Sequence, residues 1–541
     1  MTAMTRLPTA ISTLLLIAAP LFAADNDKDS SEKPDKSKNE SGFFKPEAVT
    51  NSDVAIVEGA RIDYDSVAGT LVVHPKGWDD ALSEEKDKAK ANPTAEASMF
   101  YVAYFKHGAE PGKQPVTFLY NGGPGSSTVW LHMGAFGPRR VVTADDSHTP
   151  AAPYEVVTNE FSLLDASDLV FIDAPGTGFG RIEGKEKEKA FWGIDADAHA
   201  FAEFIRAFLS KYHRWNAPKY LFGESYGTPR SAVLVNMLET EYDLDVNGVI
   251  LLSQILNFDL SVDGPEDNPG IDLPYVLALP TYAATAWYHH KLPGPNPPAD
   301  LEPFLGRAEG FAMHDYAQAL AEGAALADDQ RKAIADKLHE FTGLPVNYIL
   351  KANLRITGGE FEKNLQDDAD MTTGRLDSRF SGPTMDPLSK EADYDPQSAA
   401  IGSAYVSAFN DYVRNTLKYG QDKTYLSEIE VWKSWNFQHQ PPDASMPLPQ
   451  SANTMPDLAS AMKYNPNLKI LLTGGFFDVA TPYCEGRYEM EHLQIPRKLQ
   501  DNIQYHYYQS GHMVYAHAAS LKAIHDDVAA FIKSTDNLQK K

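Results

Sequence analysis

The sequence feature that most constrains the fold is a serine between two glycines at a strand-to-helix turn. Gly223, Ser225 and Gly227 form a Gly-x-Ser-x-Gly pattern. Residues 217–222 before it are mostly apolar and predict a buried strand, and residues 231–238 after it predict a helix. A strand, a sharp turn and a helix in this order lift a nucleophilic serine above the end of a sheet. The alternative is an ordinary strand-to-helix turn.

Predicted strands and helices alternate on both sides of this turn. Apolar runs predict an opening hairpin over 54–73 and strands over 97–106, 115–120, 168–173, 248–255, 468–473 and 503–508, with helices over 196–208 and 521–532. This alternation predicts an α/β fold with a mostly parallel central sheet flanked by helices.

The alternating pattern stops in the second half of the chain. Residues 282–290 predict a helix, helical periodicity dominates residues 311–341 and 401–417, and strands resume only later. We therefore interpret residues 261–425 as a largely helical insertion that caps the site, between core segments 46–260 and 426–541. The alternative is a separate downstream domain. Inserted caps commonly shape a pocket and exclude water from it.

The N-terminus predicts export. Arg6 is the only charge ahead of the apolar run 14–23, which is followed by a polar stretch, so residues 1–23 are typical of a cleaved signal peptide. An uncleaved anchor is the alternative. Residues 24–45 are mostly charged and polar and predict a disordered linker. We expect a periplasmic or secreted protein with no membrane attachment after signal cleavage.

Charge and cysteine content exclude several classes of function. The formal net charge of −26 opposes binding to the phosphates of nucleic acid. The single cysteine, Cys484, allows no intrachain disulfide and is interpreted as a small buried residue. The histidine spacing is not typical of a metal site, and we expect neither a metal nor another cofactor.

A serine, an acid and a histidine follow late or central strands in the order expected of an α/β-hydrolase. Ser225 is followed by Asp478 after the strand at 468–473 and by His512 after the strand at 503–508. A serine hydroxyl needs a base, which His512 would supply, and Asp478 would fix the tautomer of the imidazole and stabilise its charged form. A glycine-rich loop at 121–127 is the expected source of an oxyanion-hole donor, although a structural turn is the alternative.

Several of these motifs together resemble the serine carboxypeptidase family, peptidase S10, in a bacterial type of exported member. The motifs are Asn121-Gly122-Gly123-Pro124-Gly125-Ser126-Ser127, Asp173-Ala174-Pro175-Gly176-Thr177-Gly178-Phe179, Gly223-Glu224-Ser225-Tyr226-Gly227 and Gly511-His512-Met513-Val514. The resemblance spans roughly residues 95–260 and 465–530.

The resemblance implies roles for further residues. The backbone N–H groups of Gly123 and Tyr226 would form the oxyanion hole, in agreement with the rule that one donor follows the nucleophile. Asn121, Gly122 and Glu224 would bind the terminal carboxylate of a peptide substrate. Because two carboxylates in contact cannot both ionise cheaply, Glu224 and the substrate would share a proton, which favours binding at acidic pH.

The sequence also departs from the family pattern. A second binding-site acid of the family falls at Ala135, and its usual tryptophan falls at Leu119. Both losses weaken the prediction of free C-terminus recognition. Arg139 and Arg140 could supply positive charge instead, or could be surface arginines.

These observations predict an exported serine hydrolase, a serine-type carboxypeptidase that acts through an acyl-enzyme on Ser225. Two alternatives stay open. An esterase or acyltransferase could use the same groups on the same scaffold, and the loss at Ala135 favours it slightly. A non-catalytic binding protein could share the fold, but it would have no need of all three of Ser225, Asp478 and His512.

Overall fold

The structure, a computed structural model, describes residues 43–84, 91–448 and 450–538. The predicted signal peptide at 1–23 and nearly all of the predicted linker at 24–45 lie outside these residues. No helix in the described part of the chain combines the length and the apolar character that crossing a membrane would need.

Fourteen strands are present among the described residues. They are β1 (Ala48–Val57), β2 (Ala60–Val73), β3 (Glu96–Lys106), β4 (Val116–Tyr120), β5 (Arg139–Val141), β6 (Val156–Thr158), β7 (Asp168–Ile172), β8 (Arg181–Glu183), β9 (Lys219–Glu224), β10 (Gly248–Leu252), β11 (Met371–Thr373), β12 (Ser381–Pro383), β13 (Lys469–Gly475) and β14 (Ile503–Tyr508).

Ten of these strands form one central sheet. Its order is β1-β2-β3-β7-β4-β9-β10-β13-β14, and β8 pairs with β3. The six strands from β7 to β14 in this order run parallel, whereas β1, β2 and β3 pair antiparallel. The carboxyl ends of β4, β9, β13 and β14 therefore open onto one edge, where ligands bind in open α/β sheets.

Fifteen α-helices accompany the sheet in the described residues. They are α1 (Asp80–Glu84), α2 (Lys187–Phe191), α3 (Ile194–Lys211), α4 (Gly227–Glu241), α5 (Leu273–Tyr288), α6 (Leu301–Phe311), α7 (Ala317–Glu322), α8 (Asp328–Thr342), α9 (Val346–Lys351), α10 (Gly358–Asn364), α11 (Pro396–Asn415), α12 (Met455–Tyr464), α13 (Tyr483–Glu491), α14 (Arg497–Gln500) and α15 (Ala518–Thr535).

Helices cover both faces of the sheet, and each face has its own hydrophobic core. Because side chains alternate along a strand, Leu221 of β9 packs with α3, α4 and α12 on one face, while Phe222 packs with α11 and α15 on the other. Fully buried parallel strands read as continuous apolar runs, which is why β7 and β10 were visible in the sequence. This architecture is the predicted α/β-hydrolase fold.

Strands β10 and β13 are neighbours in the sheet, although residues 253–468 lie between them in the chain. This connection contains α5 to α12 and the hairpin β11–β12. Helices α5, α8 and α9 share an apolar cluster of their own with α10. The division of the chain at 261 and 425 stays a prediction.

Several elements differ from their predicted bounds, and for α5 and β10 the difference has a clear physical reason. Helix α5 begins at Leu273 rather than near residue 282, even though Pro280 lies inside it, because almost all of its residues are buried and packing outweighs propensity. Strand β10 ends at Leu252 rather than 255, because Ser253 has a φ of +54° and leaves the extended conformation.

Candidate active site

The Ser225 turn is built by residues next to it in the chain. Strand β9 ends at Glu224 and α4 begins at Gly227, so one residue after Ser225 completes the turn. Ser225 has a φ of +60°, a left-handed conformation that costs a non-glycine residue roughly 1–3 kcal/mol. A Cβ on Gly223 would lie 2.1 Å from the Gly227 carbonyl oxygen, so only glycine fits there. The turn therefore holds the serine half-buried in a strained conformation.

The predicted acid and base form a direct pair. Nδ1 of His512 lies 2.8 Å from Oδ2 of Asp478, and both side chains are buried. Burial alone lowers the pKa of the His512 imidazole, but the Asp478 carboxylate outweighs burial and raises the pKa above its ordinary value. Because the carboxylate accepts the Nδ1 proton, Nε2 of the neutral imidazole is left as the base.

Thr481 adds a contact to this pair that the sequence analysis missed. Its hydroxyl donates to Asp478 Oδ2 at 2.8 Å and lies 3.2 Å from His512 Nδ1, and its backbone N–H donates to Asp478 Oδ1 at 3.0 Å. The Asp-x-x-Thr spacing, which suits a turn in which the threonine bonds the preceding acid, was the available signal. Thr481 orients the Asp478 carboxylate.

Ser225 and His512 meet in one cleft of about 670 Å³. Asn121, Gly122, Gly123 and Glu224 line the same cleft. The structure therefore brings these predicted residues together. Among the described residues, no hydrogen bond joins the Ser225 hydroxyl to the His512 imidazole; such bonds are often long until substrate binds.

A second cleft of about 400 Å³ also reaches Ser225. Its walls are largely apolar and aromatic, and include Tyr226, Ile255, Phe258, Phe437, Ala452 and Ala480. Gly123, Ser225, Arg375, Leu376 and Trp432 line both clefts. An extended substrate can therefore pass Ser225 with one side chain in each cleft.

The two predicted oxyanion donors belong to two segments that lie close to each other, the glycine loop and the start of α4. Tyr226 directly precedes α4, so its N–H belongs to a helix N-terminus, which favours negative charge. The glycine loop comes so near that a Cβ on Gly122 would lie 2.3 Å from the Tyr226 nitrogen. Gly123 has a φ of +102° and lines both clefts. The role of both N–H groups stays a prediction.

Arg230 holds the start of the glycine loop in place from a buried position. Its buried guanidinium pairs with Asp197 of α3 at 2.5 Å and donates to the Asn121 carbonyl at 2.8 Å. The Asn121 side chain in turn accepts from the Leu131 N–H at 3.0 Å. The orientation of Asn121 is thereby set by groups outside the cleft.

Glu224 is the buried carboxyl of the cleft. The Tyr515 hydroxyl donates to its two oxygens at 2.8 and 3.1 Å, and the Asn121 side chain is a further partner. Burial raises the pKa of Glu224 to about 7, against the lowering effect of His512 and of these hydrogen bonds. Tyr515 was missed from the sequence, because nothing in its surroundings relates it to a carboxyl 291 residues away.

The residues at which the sequence departs from the family pattern, and the two arginines that follow, have other surroundings than a carboxylate-binding site would give them. Ala135 is buried in a π-helical turn, and its carbonyl accepts from Asn159 at 2.7 Å. Arg139 is paired with Asp53 at 3.0 Å, and neither Arg139 nor Arg140 lines a cleft at Ser225. The hypothesis that these arginines bind substrate is therefore not supported.

The cation that does line both clefts is Arg375. It pairs with Asp263 through two nitrogen atoms. Sequence reasoning had no means of choosing it from the many charged residues of the insertion. Cys484 lines neither cleft and is a buried residue of α13, as interpreted.

One group of potential metal ligands occurs in the described residues, and it lies outside both clefts. Glu58, His525 and Asp526 have ligand atoms within 4.8 Å of one another. Lys522 already pairs with the two carboxylates, at 3.7 and 2.5 Å, which offsets part of their charge without an ion.

Comparison with known proteins locates the resemblance in the first half of the chain. The model of the family "Serine carboxypeptidase" matches residues 83–242, which contain the glycine loop and Ser225. Pheromone-processing carboxypeptidase KEX1 of Phytophthora infestans is 28% identical over 141 residues, covering 24% of this chain and 21% of that protein. Serine carboxypeptidase-like 36 of Arabidopsis thaliana is 25% identical over 177 residues, covering 31% and 34%.

The chain thus spans between about a fifth and a third of the length of these curated relatives.

Among solved structures, proline iminopeptidase of Mycobacterium smegmatis is 10% identical with a TM-score of 0.33, covering 90% of this chain and 99% of that one. The peroxisomal α/β-hydrolase Lpx1 of Saccharomyces cerevisiae is 11% identical with a TM-score of 0.33, covering 86% and 89%. Similarity at these TM-scores is too low to assign a fold. The fold class is assigned from the topology of the central sheet.

The family match includes three of the motifs that suggested the resemblance, at 121–127, 173–179 and 223–227. Over residues 83–242 the chain is therefore similar to the serine carboxypeptidases, as its motifs predicted.

Proposed function

We propose that this protein is a serine-type carboxypeptidase that hydrolyses the last peptide bond of a peptide through an acyl-enzyme on Ser225. The observation that carries the proposal is the buried Glu224 carboxyl, which lines the same cleft as Ser225 and His512. An esterase that hydrolyses simple esters has no need of a buried acid beside its nucleophile. An enzyme that binds the terminal carboxylate of a peptide does need such a group.

Acylation uses the predicted triad. His512 Nε2 takes the Ser225 proton while Oγ bonds to the carbonyl carbon of the scissile peptide, and the negative charge moves to the carbonyl oxygen. The N–H groups of Gly123 and Tyr226 stabilise that oxyanion. The imidazolium then gives its proton to the amide nitrogen, the C–N bond breaks, and the C-terminal amino acid leaves.

Deacylation repeats the sequence with water. His512 removes a proton from a water molecule as its oxygen attacks the ester carbon of the acyl-enzyme. When the tetrahedral intermediate collapses, the imidazolium returns its proton to Ser225 Oγ and the shortened peptide is released. Asp478 holds the imidazole through Nδ1 at 2.8 Å throughout both steps.

Glu224 and Asn121 supply recognition of the terminal carboxylate. Since the pKa of Glu224 is about 7, its carboxyl is neutral at lower pH and can donate a hydrogen bond to a substrate carboxylate. As pH rises through this pKa, Glu224 ionises and repels the substrate. KM for free-acid peptides should therefore rise with pH, while KM for C-terminal amides should not.

The apolar cleft beyond Ser225 supports a preference for the residue that donates the scissile carbonyl. With the terminal carboxylate at Glu224, that residue faces Phe258, Phe437 and Ile255. We expect a large apolar side chain to be favoured there, because its burial yields about 25 cal/mol per Å². Asp263 and Arg375 at the rim are already paired with each other.

An esterase or acyltransferase on the same scaffold is the second candidate. The observation that favours it is Ala135, a buried alanine at the position of the family's second acid. A non-catalytic binding protein is a weaker third candidate, because it does not account for the Asp478–His512 pair.

Three substrates distinguish these candidates. An N-blocked dipeptide with an apolar first residue should be tested as free acid, as C-terminal amide and as ethyl ester from pH 4 to 8. Ser225-dependent release of the last residue from the free acid, strongest at acidic pH, supports the carboxypeptidase. Equal turnover of acid and amide, or turnover of the ester alone, contradicts it. Glu224→Gln is the matched variant, since it keeps the shape and removes the titration.

The proposal also includes export and a cap. We propose that residues 1–23 direct export and are removed, followed by the linker at 24–45. We further propose that the insertion at 261–425 shapes the substrate clefts, since Asp263, Arg375 and Ile401 of that segment line them.

A further inference from the structure

A five-residue segment of the insertion, Arg375 to Arg379, lies against the predicted triad. It connects β11 to β12 and is here named the strap. Neither the sequence pattern nor the predicted mechanism assigns it a role. Its backbone and side chains contact two loops that follow different strands of the central sheet.

The strap holds the loop that carries Asp478 on both sides. The Ser378 N–H and hydroxyl donate to the Phe477 carbonyl at 2.9 and 3.0 Å. The N–H groups of Val479 and Ala480 donate to the Arg375 carbonyl at 3.1 and 3.2 Å. The residues directly before and after the acid are thus tied to the strap.

The strap also holds the loop that carries His512. The His512 N–H donates to the Leu376 carbonyl at 2.6 Å, and the Gly511 N–H donates to Asp377 Oδ2 at 3.2 Å. A Cβ on Gly511 would lie 2.4 Å from the Asp377 side chain, so the two segments are in close contact.

A buried ion pair gives the strap a fixed shape. Asp377 is fully buried and Arg379 is 6% exposed, and Nη2 of Arg379 lies 2.5 Å from Asp377 Oδ2. Nε of Arg379 donates to Oδ1 at 3.0 Å, and Nη2 reaches Ser510 Oγ at 3.4 Å. Both carboxylate oxygens of Asp377 are therefore occupied, as a buried charge requires.

The strap is anchored at two helices outside the site. Asp395, which caps α11, accepts from the N–H groups of Arg375 and Leu376 at 2.8 and 3.3 Å. From α5, the Thr285 hydroxyl lies 2.5 Å from Ser378 Oγ and His289 Nε2 lies 2.6 Å from the Ser378 carbonyl. The position of the strap is thus set by the insertion rather than by the sheet.

We propose that the strap sets the distance and orientation between Asp478 and His512, with Asp377 and Arg379 as positioning residues. The inference rests on the proposed function for its catalytic meaning. Sheet pairing fixes β13 and β14, but the acid and the base lie beyond the ends of these strands, where the sheet no longer constrains them. A displacement of about 1 Å in such a pair can cost on the order of a hundredfold in rate.

The test compares two variants that make the same chemical change. Asp377→Asn removes one carboxylate charge from the strap pair. Asp272→Asn removes one from the Asp272–Arg355 pair, which has two contacts of 2.7 Å and does not line the clefts at Ser225. Ser378→Ala is a milder strap variant, which keeps the ion pair and loses the hydroxyl bond to Phe477.

The first readout is the pKa of the His512 imidazole, from NMR of histidine-labelled protein with His512→Gln for assignment. The imidazole is faced by Asp478, Glu224 and Arg375. Asp478 raises the pKa of the imidazole most among these groups, Glu224 raises it less, and Arg375 lowers it. We expect Asp377→Asn to lower that pKa by roughly one unit, because the imidazole loses its close partner, and Ser378→Ala to lower it less. Asp272→Asn should leave it unchanged.

The second readout is the split of kcat and KM for the free-acid dipeptide. We expect Asp377→Asn to lower kcat by about 10- to 100-fold with KM within about twofold. Asp272→Asn should lower the melting temperature without lowering kcat.

An unchanged His512 pKa in both strap variants would overturn the inference, as would a loss of kcat no larger than the loss of folded protein. If Asp377→Asn does not fold, Ser378→Ala decides by the same criteria. A wild-type protein without Ser225-dependent hydrolysis, but with the expected pKa changes, would refute the proposed function and leave the positioning role supported.

Discussion

The two halves of the candidate active site are built in different ways. The nucleophile half is local: Ser225 lies between β9 and α4, and the glycines that permit its turn are two residues away on either side. The acid–base half is not local. Asp478 and His512 follow two separate strands, and the strap that contacts both loops lies about 100 residues before the acid.

The two halves differ in which parts of the chain hold the catalytic side chains in position. In the nucleophile half, strain in one backbone conformation is held by a strand and a helix directly joined to it. In the acid–base half, hydrogen bonds from the insertion set the geometry, so changes far from the chemistry can disturb it. Four substitutions, in order of decreasing expected effect on hydrolysis, distinguish the two halves.

Asp478→Asn should cause the largest loss, because it removes the charge that holds the imidazole tautomer while keeping the side-chain shape. We expect kcat for the free-acid dipeptide to fall by about 10⁴-fold, with little change in KM. Steady-state kinetics at pH 6 measures this. Glu485→Gln, a change of another buried acid outside both clefts, is the matched control; a loss of similar size there would show that the effect is not specific to the triad.

Gly122→Ala tests the local half. The added Cβ would lie 2.3 Å from the Tyr226 nitrogen, so it would displace a predicted oxyanion donor. We expect kcat to fall by about 10²- to 10³-fold. Gly306→Ala, where an added Cβ meets nothing within 4 Å, should leave kcat unchanged. Normal activity of Gly122→Ala would mean that the Tyr226 N–H does not bind the oxyanion.

Thr481→Val tests the contact that orients the acid. The change keeps the volume but removes the hydroxyl that donates to Asp478 Oδ2 at 2.8 Å. We expect a fall in kcat of roughly tenfold, since a hydrogen bond to a charged group contributes about 1.5–3 kcal/mol. Thr481→Ser should restore most of the rate, and a serine variant as slow as the valine variant would point to packing instead.

Tyr515→Phe should have the smallest effect, visible only in the pH dependence of KM. The Tyr515 hydroxyl lowers the pKa of Glu224, so its removal raises that pKa above about 7. The rise of KM for the free-acid dipeptide should then begin at higher pH, by up to about one unit. The C-terminal amide serves as control. A midpoint that stays in place, or moves down, contradicts the role given to Glu224.

The fold could be predicted from the sequence to a large extent because its signals are local. The buried parallel strands β7, β9, β10 and β13 are short apolar runs, and β14 follows in the expected order. The family resemblance, found from motifs of four to seven residues, is confirmed over residues 83–242. Strand β10 is shorter than predicted because Ser253 adopts a left-handed conformation, which the sequence does not indicate.

The residues that sequence reasoning missed act through contacts made only in the folded chain. Tyr515 reaches Glu224 over 291 residues, and Asp377 reaches Gly511 over 134. Arg139 was considered as a substrate ligand because it is near the glycine loop in sequence, yet its partner is Asp53 in the opening hairpin. Residues that are close in sequence are enough to predict a turn. They are not enough to predict which distant residue a side chain contacts.

The central claim is that Ser225 is a nucleophile activated by His512 and Asp478. The most direct test is the rate at which a fluorophosphonate modifies purified protein, measured from pH 5 to 9 with the modified residue mapped by mass spectrometry. We expect one phosphonyl group on Ser225 and a rate that rises with pH as the imidazole loses its proton. We expect this rate to fall by about 10³-fold or more in Asp478→Asn. No modification, modification of another residue, or a rate unaffected by Asp478→Asn would contradict it.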